Sequence, residues 1–214
     1  MSKPIFINKS LQLLVLIYLL SFGVIVLHNN HGEVVLWTNE RHSIFLDQFF
    51  KYLTHLGDGL VLGVFAFALL LTNYYKFFQA LIAIATQTAL VLIFKLWLAE
   101  GEPRPKVFFA DRINELNFIE GVEVRNYGSF PSGHTASAFT LAFILILLVK
   151  NETWRIVIFI AALLIGFSRV YLIQHFMIDV YIGSVFGIIS VLVAWKIMLP
   201  YQDRVKLQRG LLKK

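Results

Sequence analysis

The sequence contains no cysteine, which excludes a disulfide framework, a thiolate–zinc site and a cysteine nucleophile. Charge is scarce: 15% of the 214 residues are Asp, Glu, Lys or Arg, against roughly 25% in ordinary soluble domains. Proline occurs only at positions 4, 103, 105, 131 and 200, so long stretches run without a helix breaker. Apolar residues fill the chain. The hydrophobic fraction is 58%, against roughly 45–50% in soluble domains, and the mean hydropathy is +0.72. A soluble fold of this length cannot hide so much apolar surface. The numbers exclude a typical cytosolic enzyme, a disordered chain, a coiled coil and a collagen. They leave an all-α polytopic membrane protein, expected as a single domain over residues 1–214.

A transmembrane helix needs about 20 mostly apolar residues. Six stretches meet or approach this: about 10–27, 57–75, 77–98, 134–150, 154–174 and 179–199. The prolines lie outside their interiors, and Trp37, Trp97, Trp154 and Trp195 lie near their ends, as an aromatic belt requires. The first stretch follows Lys3 and Lys9 as a signal peptide would. Its run from Leu11 to Leu27 is too long, and His28-Asn29-Asn30-His31 replaces the small residues of a cleavage site. It reads as a retained helix.

Orientation follows from charge. The net charge is +6, and six of the 19 Lys and Arg lie after residue 195. That tail suits a membrane surface rather than nucleic acid. With six spans both termini share a side. That side carries Lys3, Lys9, Lys76, Lys150, Arg155, Lys196, Arg204, Lys206, Arg209, Lys213 and Lys214 against only Glu152 and Asp203. The positive-inside rule makes it cytoplasmic. The segments 28–56 and 99–133 and the turn near 169–179 then face outward. Within the first of these, Ser43 to Leu56 has the pattern of an amphipathic helix, suited to the membrane surface or to ordinary packing.

Charge at the edge of a membrane span is costly and marks a functional candidate. Lys95, Arg169, His175 and Asp179 sit at the outer ends of expected spans, and the outer loop adds Arg104, Ser132 and His134. In Phe130-Pro131-Ser132-Gly133-His134, Ser132 can cap the following helix. Gly133 permits close backbone approach, and the free N–H groups of the first turn favour an anion such as phosphate. Alone, this piece also fits a plain helix cap with an interfacial histidine. His175 and Asp179 are four apart, so in a helix they share a face. A carboxylate on one imidazole nitrogen fixes the tautomer and leaves the other as nucleophile or base. Arg169 offers a planar fork for phosphate oxygens. Lys95 and Arg104 add two cations, although each alone also fits a snorkelling lysine or a loop arginine.

Together, Lys95 with Arg104-Pro105, Pro131-Ser132-Gly133-His134, and Ser168-Arg169 with His175 and Asp179 resemble the three-part signature of the type 2 phosphatidic acid phosphatase superfamily. That superfamily includes integral-membrane lipid phosphate phosphatases and soluble vanadium haloperoxidases. The six-span layout resembles the membrane branch. The first motif usually has six residues between its lysine and arginine, and here there are eight. The resemblance implies that His175 attacks phosphorus, Asp179 orients it and His134 protonates the leaving group. Lys95, Arg104, Ser132, Gly133 and Arg169 would hold the phosphate. It implies a metal-independent enzyme with no cofactor, whose partners are the bilayer and a lipid phosphate. Candidates are phosphatidic acid, phosphatidylglycerol phosphate, undecaprenyl diphosphate and a lipid A phosphate. Size and lack of cysteine suit a bacterial inner membrane, with the site facing outward.

Other readings compete. A lipid phosphotransferase would use the same residues. A transporter would need charge deeper on the inner side, and a haloperoxidase would need bound vanadate. Histidines 28, 31, 42 and 55 fall in one outer segment, but their spacing matches no metal-ligand pattern. They read as solvated or headgroup-facing.

Overall fold

Helix caps written into the sequence set the starts of four helices. Ser43, Asn73, Ser132 and Asn151 each turn a side-chain oxygen onto a backbone N–H three residues on, which satisfies a donor that the first helical turn leaves free. The computed structural model describes residues 9–212; Lys3, Lys213 and Lys214 of the basic side lie outside them. The helices are α1 (Lys9–His28), α2 (Glu33–Asn39), α3 (Ile44–Leu53), α4 (Gly59–Thr72), α5 (Tyr74–Ile93), α6 (Pro105–Phe108), α7 (Gly133–Leu148), α8 (Glu152–Tyr171) and α9 (Met177–Met198). Among the described residues there is no β-strand, and Pro103 and Tyr127 form an isolated bridge.

α1, α5, α8 and α9 are long and apolar enough to cross a membrane. α3 and α4, bent by 48° at their junction, pass the same test together. α7 is apolar but has only 16 residues, about 24 Å at the α-helical rise against a hydrocarbon core of about 30 Å. Each expected apolar stretch contains one helix, with shifted ends. The stretch expected at 57–75 divides into the 14 residues of α4 and the first two of α5, because Thr54–Gly57 forms a 3₁₀ turn and Asp58 and Asn73 are extended. α8 starts two residues earlier than expected, on its Asn151 cap, and stops three earlier, at Tyr171.

α7 is the central helix, with ten of its sixteen residues buried. It packs chiefly on α8 and α9. Lipid gives helices no hydrophobic reason to associate, so close backbone approach must hold them. Gly183 and Gly187, four apart on α9, supply it. A Cβ on Gly187 would lie 2.6 Å from Cβ of Phe139, and one on Gly183 would lie 2.5 Å from the Ser132 carbonyl oxygen. α1 buries Leu11, Val15 and Tyr18 and leaves Leu13, Leu20 and Val24 exposed, as a lipid-facing helix does. Tyr18 donates a hydrogen bond to Ser184 Oγ at 2.7 Å, giving its buried hydroxyl a partner.

Two ends result. At one, the tail folds against the α4–α5 junction, where the N–H of Tyr74 donates to the Arg209 carbonyl and those of Leu211 and Leu212 donate to Leu70 and Leu71. At the other, the end of α5, the start of α7, the end of α8 and the start of α9 meet beneath α3 and the loop from Ala99 to Ser132.

Candidate active site

The link between α8 and α9 reverses the chain within five residues. Ile173 adopts φ +58°, a conformation that costs a β-branched residue about 1–3 kcal/mol. Its side chain is buried with Val35, Phe109, Val170 and Phe176, and this packing opposes the strain. The N–H groups of Gln174 and His175 both donate to the Arg169 carbonyl, at 2.9 and 3.1 Å. His175 is thereby folded back over the end of α8.

His175 Nδ1 lies 3.2 Å from Asp179 Oδ2, and both side chains are 2% exposed. The sequence reading expected one helical face to bring them together. α9 begins only at Met177, so a helix start makes the contact instead. Asp179 reaches back to the Phe176 N–H at 2.9 Å, half of a capping box. The same Oδ2 accepts from Ser129 Oγ at 2.5 Å, and the Asp179 carbonyl accepts from the Ser132 N–H at 3.0 Å. Burial pushes the His175 imidazole down to about 3, against the opposing pull of Asp179. It is a neutral base at physiological pH. With Nδ1 on the carboxylate, Nε2 keeps the lone pair.

A cavity of about 380 Å³ opens at this end. Among the residues expected from sequence, Lys95, Arg104, Gly133, His134, Arg169 and His175 line it. Ser132 and Asp179 do not. Asp179 stands behind His175. Ser132 is fully buried, and its hydroxyl oxygen accepts from the N–H and the hydroxyl of Thr135, at 3.3 and 2.9 Å. In this structure it caps α7.

Lys95 lies on a π-helical turn, Phe94–Leu98, that ends α5. A π turn accommodates an extra residue in a helix. The chain then turns at Gly101, φ +75°, and Arg104 reaches the same cavity despite the longer spacing. Lys95 Nζ donates to the Gly128 carbonyl at 2.5 Å. The Arg104 guanidinium is braced by the Tyr127, Gly128 and Gln174 carbonyls and by Gln174 Oε1, at 3.0–3.3 Å. Arg169 donates from Nη1 to Thr54 Oγ1 at 2.6 Å, and its Nε is buried without a partner. A buried cationic donor left free beside a cavity is suited to an anion.

The sequence reading missed several wall residues. Lys51, Thr54, His55 and Asp58 come from the α3–α4 region, and Glu123, Arg125 and Gln174 also line the cavity. His55, read as solvated, is exposed but also faces this cavity. Asp58 Oδ1 lies 2.7 Å from His134 Nε2, and its Oδ2 lies 3.1 Å from His55 Nδ1. The only sequence signal for Asp58 was a carboxylate directly before an apolar run. Among the described residues, no group of three or more His, Asp or Glu is placed to hold a metal ion. The wall is rich in cations and suits an anion.

The chain is similar to several known proteins. It is 27% identical over 148 residues to the undecaprenyl-diphosphatase BcrC of Bacillus subtilis (strain 168), covering 67% of this chain and 70% of that protein. The crystal structure of LpxE from Aquifex aeolicus superposes with a TM-score of 0.66 and 31% identity, over 78% of this chain and 94% of that one. A PAP2-type phosphatidylglycerolphosphate phosphatase from Bacillus subtilis shares the fold, with a TM-score of 0.59 and 22% identity over 90% and 98% of the two chains. The PAP2 superfamily profile matches residues 76–202, a stretch that contains both histidines, Asp179 and the three buttressed cations. The chain belongs to the PAP2 superfamily and is a membrane phosphatase.

Proposed function

We propose that the protein hydrolyses the phosphomonoester or diphosphate of a membrane lipid through a phosphohistidine on His175. The observation that carries this reading is a neutral, buried imidazole, held at Nδ1 by Asp179, in the wall of a cavity shared with Lys95, Arg104 and Arg169. Phosphoryl transfer spreads charge over the equatorial oxygens, so catalysis is mostly positioning and electrostatic stabilisation. The three cations and the first turn of α7 at Gly133 take that charge. His175 Nε2 attacks phosphorus and the bond to the leaving oxygen breaks. His134 gives its proton to that oxygen. Water then attacks the phosphohistidine, His134 takes the water's proton, and His175 is released with inorganic phosphate.

Six helices cross the membrane in this proposal. Both termini are on the basic, cytoplasmic side, the site faces outward, and the bacterial inner membrane is the location. The site residues cluster at the end of the bundle opposite the tail, which supports this arrangement. Because α7 is short, His134 at its start lies at headgroup depth. A lipid can then present its phosphate to the cavity with its tails still in the bilayer. The name of the curated relative supports an undecaprenyl diphosphate as substrate; a phosphatidylglycerol phosphate and a lipid A phosphate are the alternatives that the family resemblance adds.

The test is phosphate release by detergent-purified protein from phosphatidic acid and those three lipids, with EDTA present and His175→Ala alongside. Release by the wild type alone, with an acid-labile and alkali-stable phosphoryl label on the protein, is the expected result. Turnover by His175→Ala at a near-normal rate overturns the reading.

A further inference from the structure

We propose that Asp58 is the positioning residue of the general acid: it holds His134 as Asp179 holds His175. The proposal rests on the reading of His134 as the proton donor. Asp58 lies outside the residues matched by the superfamily profile, and no motif in the sequence points to it.

The geometry is specific. Asp58 Oδ1 is 2.7 Å from His134 Nε2, and Oδ2 is 3.1 Å from His55 Nδ1. One carboxylate thus spans two imidazoles at the mouth of the cavity. The backbone fixes its place. Gly57 is buried where the 3₁₀ turn crosses the first turn of α7, and a Cβ there would lie 3.0 Å from both the His134 carbonyl oxygen and Ile165 Cγ2. The Asp58 carbonyl accepts from the Val61 N–H at 3.0 Å, which starts α4. The turn also supplies Thr54, which accepts from Arg169. It therefore touches both the acid and the phosphate clamp.

The chemistry follows. A proton donor to a departing alkoxide must be an imidazolium with its ring held still. Asp58 accepts a hydrogen bond from Nε2–H and balances the charge of the imidazolium, leaving Nδ1–H as the proton to transfer. As the P–O bond breaks, that proton moves to the departing oxygen. The N–H electron pair stays on the ring, and Asp58 remains a carboxylate throughout. Burial, then Arg169 and Arg104, disfavour a charge on His134, and Asp58 is the carboxylate that opposes them; a phosphate entering the cavity adds its negative charge to the side of Asp58.

The experiment compares two soluble phosphates of similar size on the full-length protein in detergent. Benzyl phosphate releases an alkoxide that needs a proton, whereas 4-nitrophenyl phosphate releases a stable phenolate that does not. Asp58→Asn is expected to lower kcat/KM for benzyl phosphate by roughly 10- to 100-fold, part of the full contribution of a general acid. Its effect on 4-nitrophenyl phosphate is expected to stay within about 3-fold of wild type, against that same scale. Retained turnover of the second substrate also shows that the variant folds. Asp58→Glu is expected to recover part of the benzyl rate. A structural defect would lower both substrates alike, so equal losses, or no loss, overturn the proposal. His134→Ala separates the two levels. If it discriminates between the substrates and Asp58→Asn does not, only the role of Asp58 falls. If neither discriminates, the reading of His134 as the acid falls with it.

Discussion

Asp179 Oδ2 is shared by three donors: His175 Nδ1 at 3.2 Å, the Phe176 N–H at 2.9 Å and Ser129 Oγ at 2.5 Å. Two of these hold the carboxylate still so that it can hold the third. Asp179→Asn keeps the shape but can turn its amide N–H toward the ring and favour the wrong tautomer. Its kcat is expected to fall on the order of 10⁴-fold, the scale of that substitution in a Ser-His-Asp triad. Ser129→Ala removes one brace and should cost far less. Steady-state phosphate release from the preferred lipid reads both. Near-normal kcat in Asp179→Asn would show that Asp179 does not set the nucleophile.

The buried imidazole makes a second prediction, about pH. His175 has a folded-state pKa pushed down to about 3, against roughly 6.5 in the unfolded chain. Between those values the unfolded chain binds a proton that the folded chain does not. Stability therefore rises with pH across this window and levels off above about 6.5. Lowering the pH from 7 to 5 should lower the Tm of the wild type in detergent. His175→Gln, with no proton to bind, should show a smaller drop. An equal drop in both would place the acid sensitivity elsewhere.

Arg104 and Arg125 both line the cavity but differ in burial, so their substitutions should separate stability from binding. Arg104 is 6% exposed and braces three backbone carbonyls. Arg104→Lys cannot reproduce that fork. It should lose activity and about 1–3 kcal/mol of stability through unpaired carbonyls. Arg125 is exposed, so Arg125→Ala should leave Tm unchanged and raise KM by roughly 10-fold, the loss of one charge-assisted contact. A fall in Tm for Arg125→Ala, or an unchanged KM, would contradict this division.

Gly187 tests the packing beneath the site. Its missing Cβ would meet Phe139 Cβ at 2.6 Å and the Ala136 carbonyl at 2.7 Å. Gly187→Ala must push α9 away from α7, at about 1–3 kcal/mol for overpacking. Gly63, which has open space around it, is the control: Gly63→Ala should be tolerated. Thermal unfolding in one detergent compares the two, and equal Tm values would argue against a tight α7–α9 contact.

The sequence by itself determined the features that depend on near neighbours and on bulk hydropathy. Apolar runs and their caps specify where helices form, because a helix satisfies its backbone within one segment. Ser132 was legible as a cap for the same reason, whereas the caps at Asn73 and Asn151 emerged only with the structure. The closeness of His175 and Asp179 was legible too, since four residues cannot stray far, although a helix start rather than a helical face provides it. Only the tertiary structure decided the rest. Asp58 meets His134 across 76 positions of chain because Gly57 lets a 3₁₀ turn rest on α7. Lys95 and Arg104 converge because a π turn and Gly101 redirect the chain between them. Ser132 turns inward to Thr135 rather than into the cavity. Each of these outcomes depends on which helices approach closely, and that is set by small residues fitting against distant backbone, which no local pattern in the chain records.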